Sequence, residues 1–205
     1  MSPTKRRQLI VFARAPQYGA VKTRLARQIG GGAAWRSYQD MTATVLREVA
    51  GSPLWQSRLA VTPPAFARRA RFWAARSVSE PQARGDLGQR MAAALTAASA
   101  RGPAIIVGSD IPAMTRQHVR DAFDLLARHD VVFGPAVDGG YWLIGVRQGL
   151  PATVLAHLFD GVRWSTASAL EDTVRNVRHP RTLAYAATLR DIDDADDLAL
   201  WRGRA

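Results

Sequence analysis

Apolar and polar positions fall in blocks along the chain, and the blocks switch between two periods. Gln8–Ala13 is a continuous apolar run of strand length, rich in β-branched and aromatic residues. Ala33–Val49 sets Trp35, Tyr38, Met41, Val45 and Val49 at spacings of three and four, which predicts a helix with one apolar face. Arg58–Thr62 reads as a short strand stopped by Pro63-Pro64, and Phe66–Trp73 as a short basic helix. Leu87–Ala100 is Ala-rich and helical, and Ala104–Gly108 is the clearest buried strand. Thr115 can cap a helix running through Leu126. Val131–Phe133 and Tyr141–Val146 read as strands, and Thr166–Val177 and Asp194–Trp201 as helices.

Strands alternating with helices predict an α/β fold of three layers, a mixed but mostly parallel sheet covered on both faces. The turn before Tyr141 is too short for a crossover helix, so one strand is expected to run antiparallel. With 205 residues and no repeat or linker, residues 1–205 are expected to form a single domain. The early apolar run is too short for a signal peptide and ends in Arg14-Ala15-Pro16, which suits a buried first strand. No apolar stretch is long enough to span a membrane. The chain has no Cys, which excludes disulfides, zinc–cysteine sites and cysteine nucleophiles. A cytoplasmic location is the expectation.

The charge is lopsided, with 28 Lys+Arg against 17 Asp+Glu, a net of +11. Such a surplus can attract polyanions, including nucleotides and nucleic acid. A nucleic-acid binder concentrates its charge in a stripe. Here the arginines are scattered, with short clusters at Lys5-Arg6-Arg7 and Arg68-Arg69-x-Arg71. Nucleic acid is therefore the weaker reading, beside compositional bias toward arginine.

In open α/β sheets, ligands bind beyond the carboxyl ends of the strands. The loop after the first strand carries Arg14, Lys22 and Arg24 around a flexible Gly19. Cations and backbone amides at a strand-to-helix turn suit phosphate groups. Lys22 stands out, because the only other lysine is Lys5. The loop is not a P-loop, since Val21 occupies the place where that motif needs glycine.

Asp110 follows the strand Ala104–Gly108 directly, where a carboxylate can coordinate Mg²⁺ bridged to phosphates or serve as a turn residue. Asp191 and Asp193 point the same way on an extended stretch and could complete a metal site with Asp110, while Asp193 or Asp194 caps the last helix. Asp138-Gly139-Gly140 makes a tight hairpin or lets a substrate approach the backbone; of Tyr141 and Trp142, only one is expected to face a site. Gly85-Asp86 opens a helix, with Asp86 as a cap or a nucleotide contact. Trp164-Ser165-Thr166 is a helix cap or a hydroxyl-bearing acceptor site. His118, His129, His157 and His179 show no metal-ligand spacing, and neither a G-x-S-x-G elbow nor a G-x-G-x-x-G loop is present.

The segments FARAPQYGAVKTRLA, GDLGQRM, IIVGSDIPAM, VVFGPAVDGGYWLIG, WSTASALEDT and DIDDADDL occur in this order. Together they resemble a bacterial family of glycosyltransferase-A-like proteins within the nucleotide-diphospho-sugar transferase superfamily. They are similar, more distantly, to the 2-phospho-L-lactate guanylyltransferases. The resemblance implies a Rossmann-like glycosyltransferase-A fold that binds a nucleoside triphosphate or a nucleotide-diphospho-sugar with Mg²⁺ or Mn²⁺.

By that resemblance Arg14, Lys22 and Arg24 match the nucleotide-phosphate loop, and Gly19 and Asp86 are further expected nucleotide contacts. Asp110, Asp191 and Asp193 match the metal acids, with Lys22 and Asp110 as catalytic residues. Gly139, Gly140 and Ser165 match the acceptor side. The implied activity is transfer from a nucleotide donor. It is either nucleotidyl transfer to a small phosphorylated or carboxylated acceptor, or glycosyl transfer from a nucleotide-diphospho-sugar. A non-catalytic nucleotide or nucleic-acid binding module is the alternative of a different class.

Overall fold

The computed structural model describes residues 6–68 and 78–203. Seven strands form one sheet: β1 (Gln8–Arg14), β2 (Gln56–Thr62), β3 (Val78–Pro81), β4 (Ala104–Gly108), β5 (Val131–Pro135), β6 (Tyr141–Val146) and β7 (Leu183–Tyr185). Their order across the sheet is β3-β2-β1-β4-β6-β5-β7. Among the described strands, only β6 runs antiparallel to its neighbours, β4 and β5. The short Pro135–Tyr141 connection forces this reversal, as expected for a hairpin. The other pairings are parallel.

Among the described residues, seven helices accompany the strands: α1 (Thr23–Ile29), α2 (Gly31–Val49), α3 (Leu87–Ser99), α4 (Arg116–Leu125), α5 (Ala152–His157), α6 (Ala169–Arg175) and α7 (Ala195–Arg202). The alternation of each strand feeds two cores. Leu9, Val11, Ile105 and Val107 face one side, where Val45 and Val49 of α2 and Val119 and Phe123 of α4 pack. Ile10, Ile106, Phe133 and Ile144 face the other, under Met91 and Leu95 of α3 and Leu155 of α5. A third cluster joins Val21, Leu25, Tyr38 and Met41 to Ile192 and Leu198, so α1 and α2 pack with α7 and the stretch before it.

Four elements escape a reading by period. Helix α1 buries Leu25 alone, β3 and β7 bury no residue fully, and α5 has only six residues. The expected helix Thr166–Val177 is shorter, because Ser165 takes a left-handed backbone (φ 61°) and the Leu170 amide donates to the Gly139 carbonyl. Pro64–Phe66 forms one 3-10 turn, and residues 69–73 of the expected basic helix Phe66–Trp73 lie outside the described residues. Lys5, Arg69 and Arg71 of the basic clusters also lie outside them. Among the described residues, no helix is long and apolar enough to cross a membrane.

Candidate functional site

A cavity of about 650 Å³ opens at the carboxyl ends of β1 and β4. Its floor begins with the backbone of Arg14. The Tyr38 hydroxyl donates to the Arg14 carbonyl at 2.7 Å and accepts from the Arg14 amide at 3.0 Å, while lying 3.4 Å from Ser109 Oγ. Tyr38 is 4% exposed, so helix α2 fixes the end of β1 from behind. Trp35 Nε1 donates to the Pro16 carbonyl at 2.6 Å and secures the loop that follows.

That loop delivers Lys22 in a left-handed conformation (φ 46°, ψ 49°), which L-residues other than Gly adopt at a cost. Its ammonium donates to Asp110 Oδ2 and to Asp193 Oδ1, each at 2.8 Å. The Lys22 side chain is 8% exposed, against 35% and 40% for the two acids. Burial pulls the Lys22 pKa down, but Asp110 and Asp193 outweigh it and hold the ammonium above its ordinary value. Arg24 lies 3.5 Å from the other oxygen of Asp193. The basic loop reaches the cavity with its cations unequally engaged. Its lysine is already shared between two carboxylates, and Arg14 is left without an ion-pair partner among the described residues.

The Ile192 amide approaches the Asp110 carbonyl at 3.4 Å and ties the acidic C-terminal stretch to the β4 loop. Asp191 has no cation partner among the described residues. Burial first, then the charges of Asp138, Asp193 and Asp110, push its pKa up to about 6. A carboxyl so raised costs the fold nothing below about pH 4 and its full repulsion above about pH 6. Asp191→Asn should therefore raise the melting temperature at about pH 7.5, with the gain vanishing toward about pH 4. A fall in melting temperature at the higher pH would show that Asp191 is held by a favourable contact.

Among the described residues, no three acidic or histidine side chains are arranged to hold a metal ion by themselves. Asp110, Asp191 and Asp193 thus do not form a ready-made triad, because the Lys22 ammonium stands between Asp110 and Asp193. The donor set still suits Mg²⁺ or Mn²⁺. Hard oxygens with excess negative charge surround the spot, and Mg²⁺ commonly takes one or two carboxylates and completes its shell with water and substrate phosphates.

Eight of the expected site residues line the cavity: Arg14, Lys22, Arg24, Asp110, Gly140, Ser165, Asp191 and Asp193. Three do not, and each has a structural task. Asp86 caps α3, accepting from the Gln89 amide at 2.8 Å in a reciprocal capping box. Gly19 provides a left-handed turn (φ 75°) in the β1 loop. Gly139, also at positive φ, lies so close to Ala167 that a Cβ would fall 2.2 Å from its carbonyl oxygen. It docks the Ser165–Ser168 turn against the hairpin. Asp194, not Asp193, caps α7. Tyr141 and Trp142 both border the cavity, against the expectation that one would, because the cavity straddles the rim of the sheet. Period and motif missed Tyr38, Phe12 and Met91 as lining residues, since all three read as ordinary core. Asp138 was visible as the first residue of its Gly-Gly turn; it bonds the Gly140 amide at 2.9 Å and adds to the negative field on Asp191.

Residues 45–166 match the family model described as "Uncharacterized protein conserved in bacteria (DUF2064)". The chain belongs to this family. Among curated proteins no sequence match was found. The structure is similar to that of a protein from Desulfovibrio desulfuricans G20 given the provisional description of nucleotide-diphospho-sugar transferase. The identity is 29%, the TM-score 0.85, and the match covers 97% of this chain and 87% of that one. A CMP:2-keto-3-deoxy-manno-octonic acid synthetase complexed with CTP matches with a TM-score of 0.61 at 9% identity, over 97% and 98% of the two chains. Rv0371C of Mycobacterium tuberculosis H37Rv, in complex with manganese, matches with a TM-score of 0.56 at 18% identity, over 98% and 100%. The fold is that of the nucleotide-diphospho-sugar transferases, as the sequence resemblance implied.

Proposed function

We propose that the chain is a transferase that uses a nucleotide donor with a divalent metal. The favoured reaction is nucleotidyl transfer from a nucleoside triphosphate to a small phosphorylated or carboxylated acceptor. The observation that carries this reading is the Lys22 ammonium between Asp110 and Asp193, with Arg14 and Arg24 beside it, at the carboxyl rim of the sheet. Cations at such a rim suit the phosphates of a donor, and the acids that hold Lys22 suit a metal. When bound, the metal would neutralise phosphate charge.

The protein's own groups do the positioning. Lys22 and Arg24 hold donor phosphates, and Arg14 lies beside them at the cavity for a further anionic group. The acceptor oxygen attacks phosphorus in line, and pyrophosphate leaves. Charge neutralisation and alignment, and not a protein nucleophile, lower the barrier. The turn that carries Ser165 is pinned by Arg163, whose guanidinium makes two bonds of 2.9 Å to Asp172 and holds that carboxyl well below its ordinary pKa.

Glycosyl transfer is the second reading, favoured by the description of the D. desulfuricans structure. A thermal-shift panel of nucleoside triphosphates and nucleotide-diphospho-sugars, with and without Mg²⁺, separates the two. Stabilisation by a triphosphate alone, strengthened by Mg²⁺, supports nucleotidyl transfer. Stabilisation by nucleotide-diphospho-sugars alone supports glycosyl transfer. No response to either class would overturn both.

A further inference from the structure

The cavity is divided. The charged groups gather around Lys22, whereas the opposite part is lined from the other core by Phe12, Leu87, Met91, Ile144, Tyr141 and Trp164. Four of these, Phe12, Leu87, Tyr141 and Trp164, are only partly buried and come from β1, α3, β6 and the segment before α6. Four elements therefore converge to leave apolar surface facing one concavity. The aromatic side chains brace one another, with Tyr141 and Trp164 edge to face at 6.4 Å and Phe159 6.1 Å from Trp164. Gly88 lets them close on α3, since a Cβ there would fall 2.7 Å from Phe159 and 3.0 Å from Trp164. The Tyr141 hydroxyl is 3.5 Å from Thr173 Oγ1. The side-chain hydroxyls of Tyr141, Ser165 and Thr166 border this part, so it is mainly apolar with a few hydroxyls at its edge.

Arg14 marks the boundary. It follows Phe12 by two positions on β1 and so shares its face of the sheet. Its guanidinium is exposed, lines the cavity and has no carboxylate partner among the described residues. An unpaired cation at the mouth of an apolar recess complements an amphipathic anion.

We propose that the second substrate is an anion carried on an apolar body, with its phosphate or carboxylate at Arg14 and its ring or hydrocarbon against Phe12, Leu87, Tyr141 and Trp164. This rests on the transferase reading and narrows its acceptor to an anion with an apolar body.

Calorimetry with three probes, without nucleotide or metal, tests it: phenyl phosphate, glucose 1-phosphate and inorganic phosphate. Phenyl phosphate should bind at least tenfold tighter than either of the others. Trp164→Ala should reduce that preference to threefold or less while leaving inorganic phosphate binding unchanged. Leu87→Gln, on the first turn of α3, provides the same test if the tryptophan variant melts early. Arg14→Ala should weaken phenyl phosphate and inorganic phosphate by the same factor. Equal binding of phenyl phosphate and inorganic phosphate, or tighter binding of glucose 1-phosphate, overturns the proposal. A phenyl preference untouched by both apolar variants overturns it too. Because no nucleotide is present, a phenyl preference in a protein that ignores every nucleotide would sink the transferase reading alone. Nucleotide binding without that preference would sink the apolar acceptor alone.

Discussion

Asp110→Asn should lower transfer by at least about 100-fold, roughly 2.7 kcal/mol of barrier, and leave the fold intact. The substitution keeps the volume of the side chain and removes only its charge. Lys22 would keep Asp193 at 2.8 Å as its partner, so the β1 loop retains an anchor. What is lost is one of the two carboxylates that flank the ammonium and face the cavity. Two measurements are needed. The rate of product formation with the donor found by thermal shift should collapse, and Mn²⁺ binding in the presence of that donor should weaken at least tenfold. Circular dichroism and the melting curve should stay near those of the parent. A variant that keeps near-normal turnover removes Asp110 from the metal assignment. One that unfolds makes Asp110 structural.

Lys22→Ala should move two affinities in opposite directions. Without nucleotide, Mn²⁺ should bind more tightly, because the ammonium no longer occupies the space between Asp110 and Asp193. The donor nucleotide should bind more weakly by about one to two orders of magnitude, since a charge-assisted phosphate contact is worth roughly 1.5–3 kcal/mol. A loop lysine would be expected to matter little for stability, but this one is buried and paired twice. Its loss leaves two carboxylates facing each other at a cost of about 1–2 kcal/mol, toward the lower end because both acids are partly exposed. Arg128→Ala, an exposed cation just before β5 at the opposite rim, is the control for long-range field. Titration of each variant with Mn²⁺ by electron paramagnetic resonance, then with nucleotide by calorimetry, reads both signs. Equal nucleotide losses from Lys22→Ala and Arg128→Ala would mean that bulk charge explains the affinity.

The strands that build the site were readable because their chemistry is one-sided. Ala104–Gly108 is uninterruptedly apolar, and it is buried on both faces in the sheet. The reversal of β6 followed from the length of one turn. The edge strands β3 and β7 were hidden for the converse reason: half-exposed residues such as Val78 and Tyr185 carry no burial pattern to detect. At the site, residue types pointed to the right rim, but pairings did not. Nothing local to Lys22 announces a carboxylate 171 positions away. Asp86, Gly19 and Gly139 have the residue types that ligands favour, yet a cap, a turn and a close backbone contact each account for them. Such jobs compete for the same few residues, and only the packing decides which one is filled.

The separation between Lys22 and Asp193 also bears on how the protein comes into being. During synthesis the loop with Lys22 emerges early, and its first carboxylate follows 88 residues later. The second arrives 171 residues after Lys22, with the stretch that also seats Ile192 and Leu198 beside Val21 and Leu25. A nascent chain stalled after β6 would hold most of the sheet but no finished charge arrangement. The arrangement of Lys22 with both carboxylates therefore forms only once α7 and the stretch before it have been made and dock beside α1.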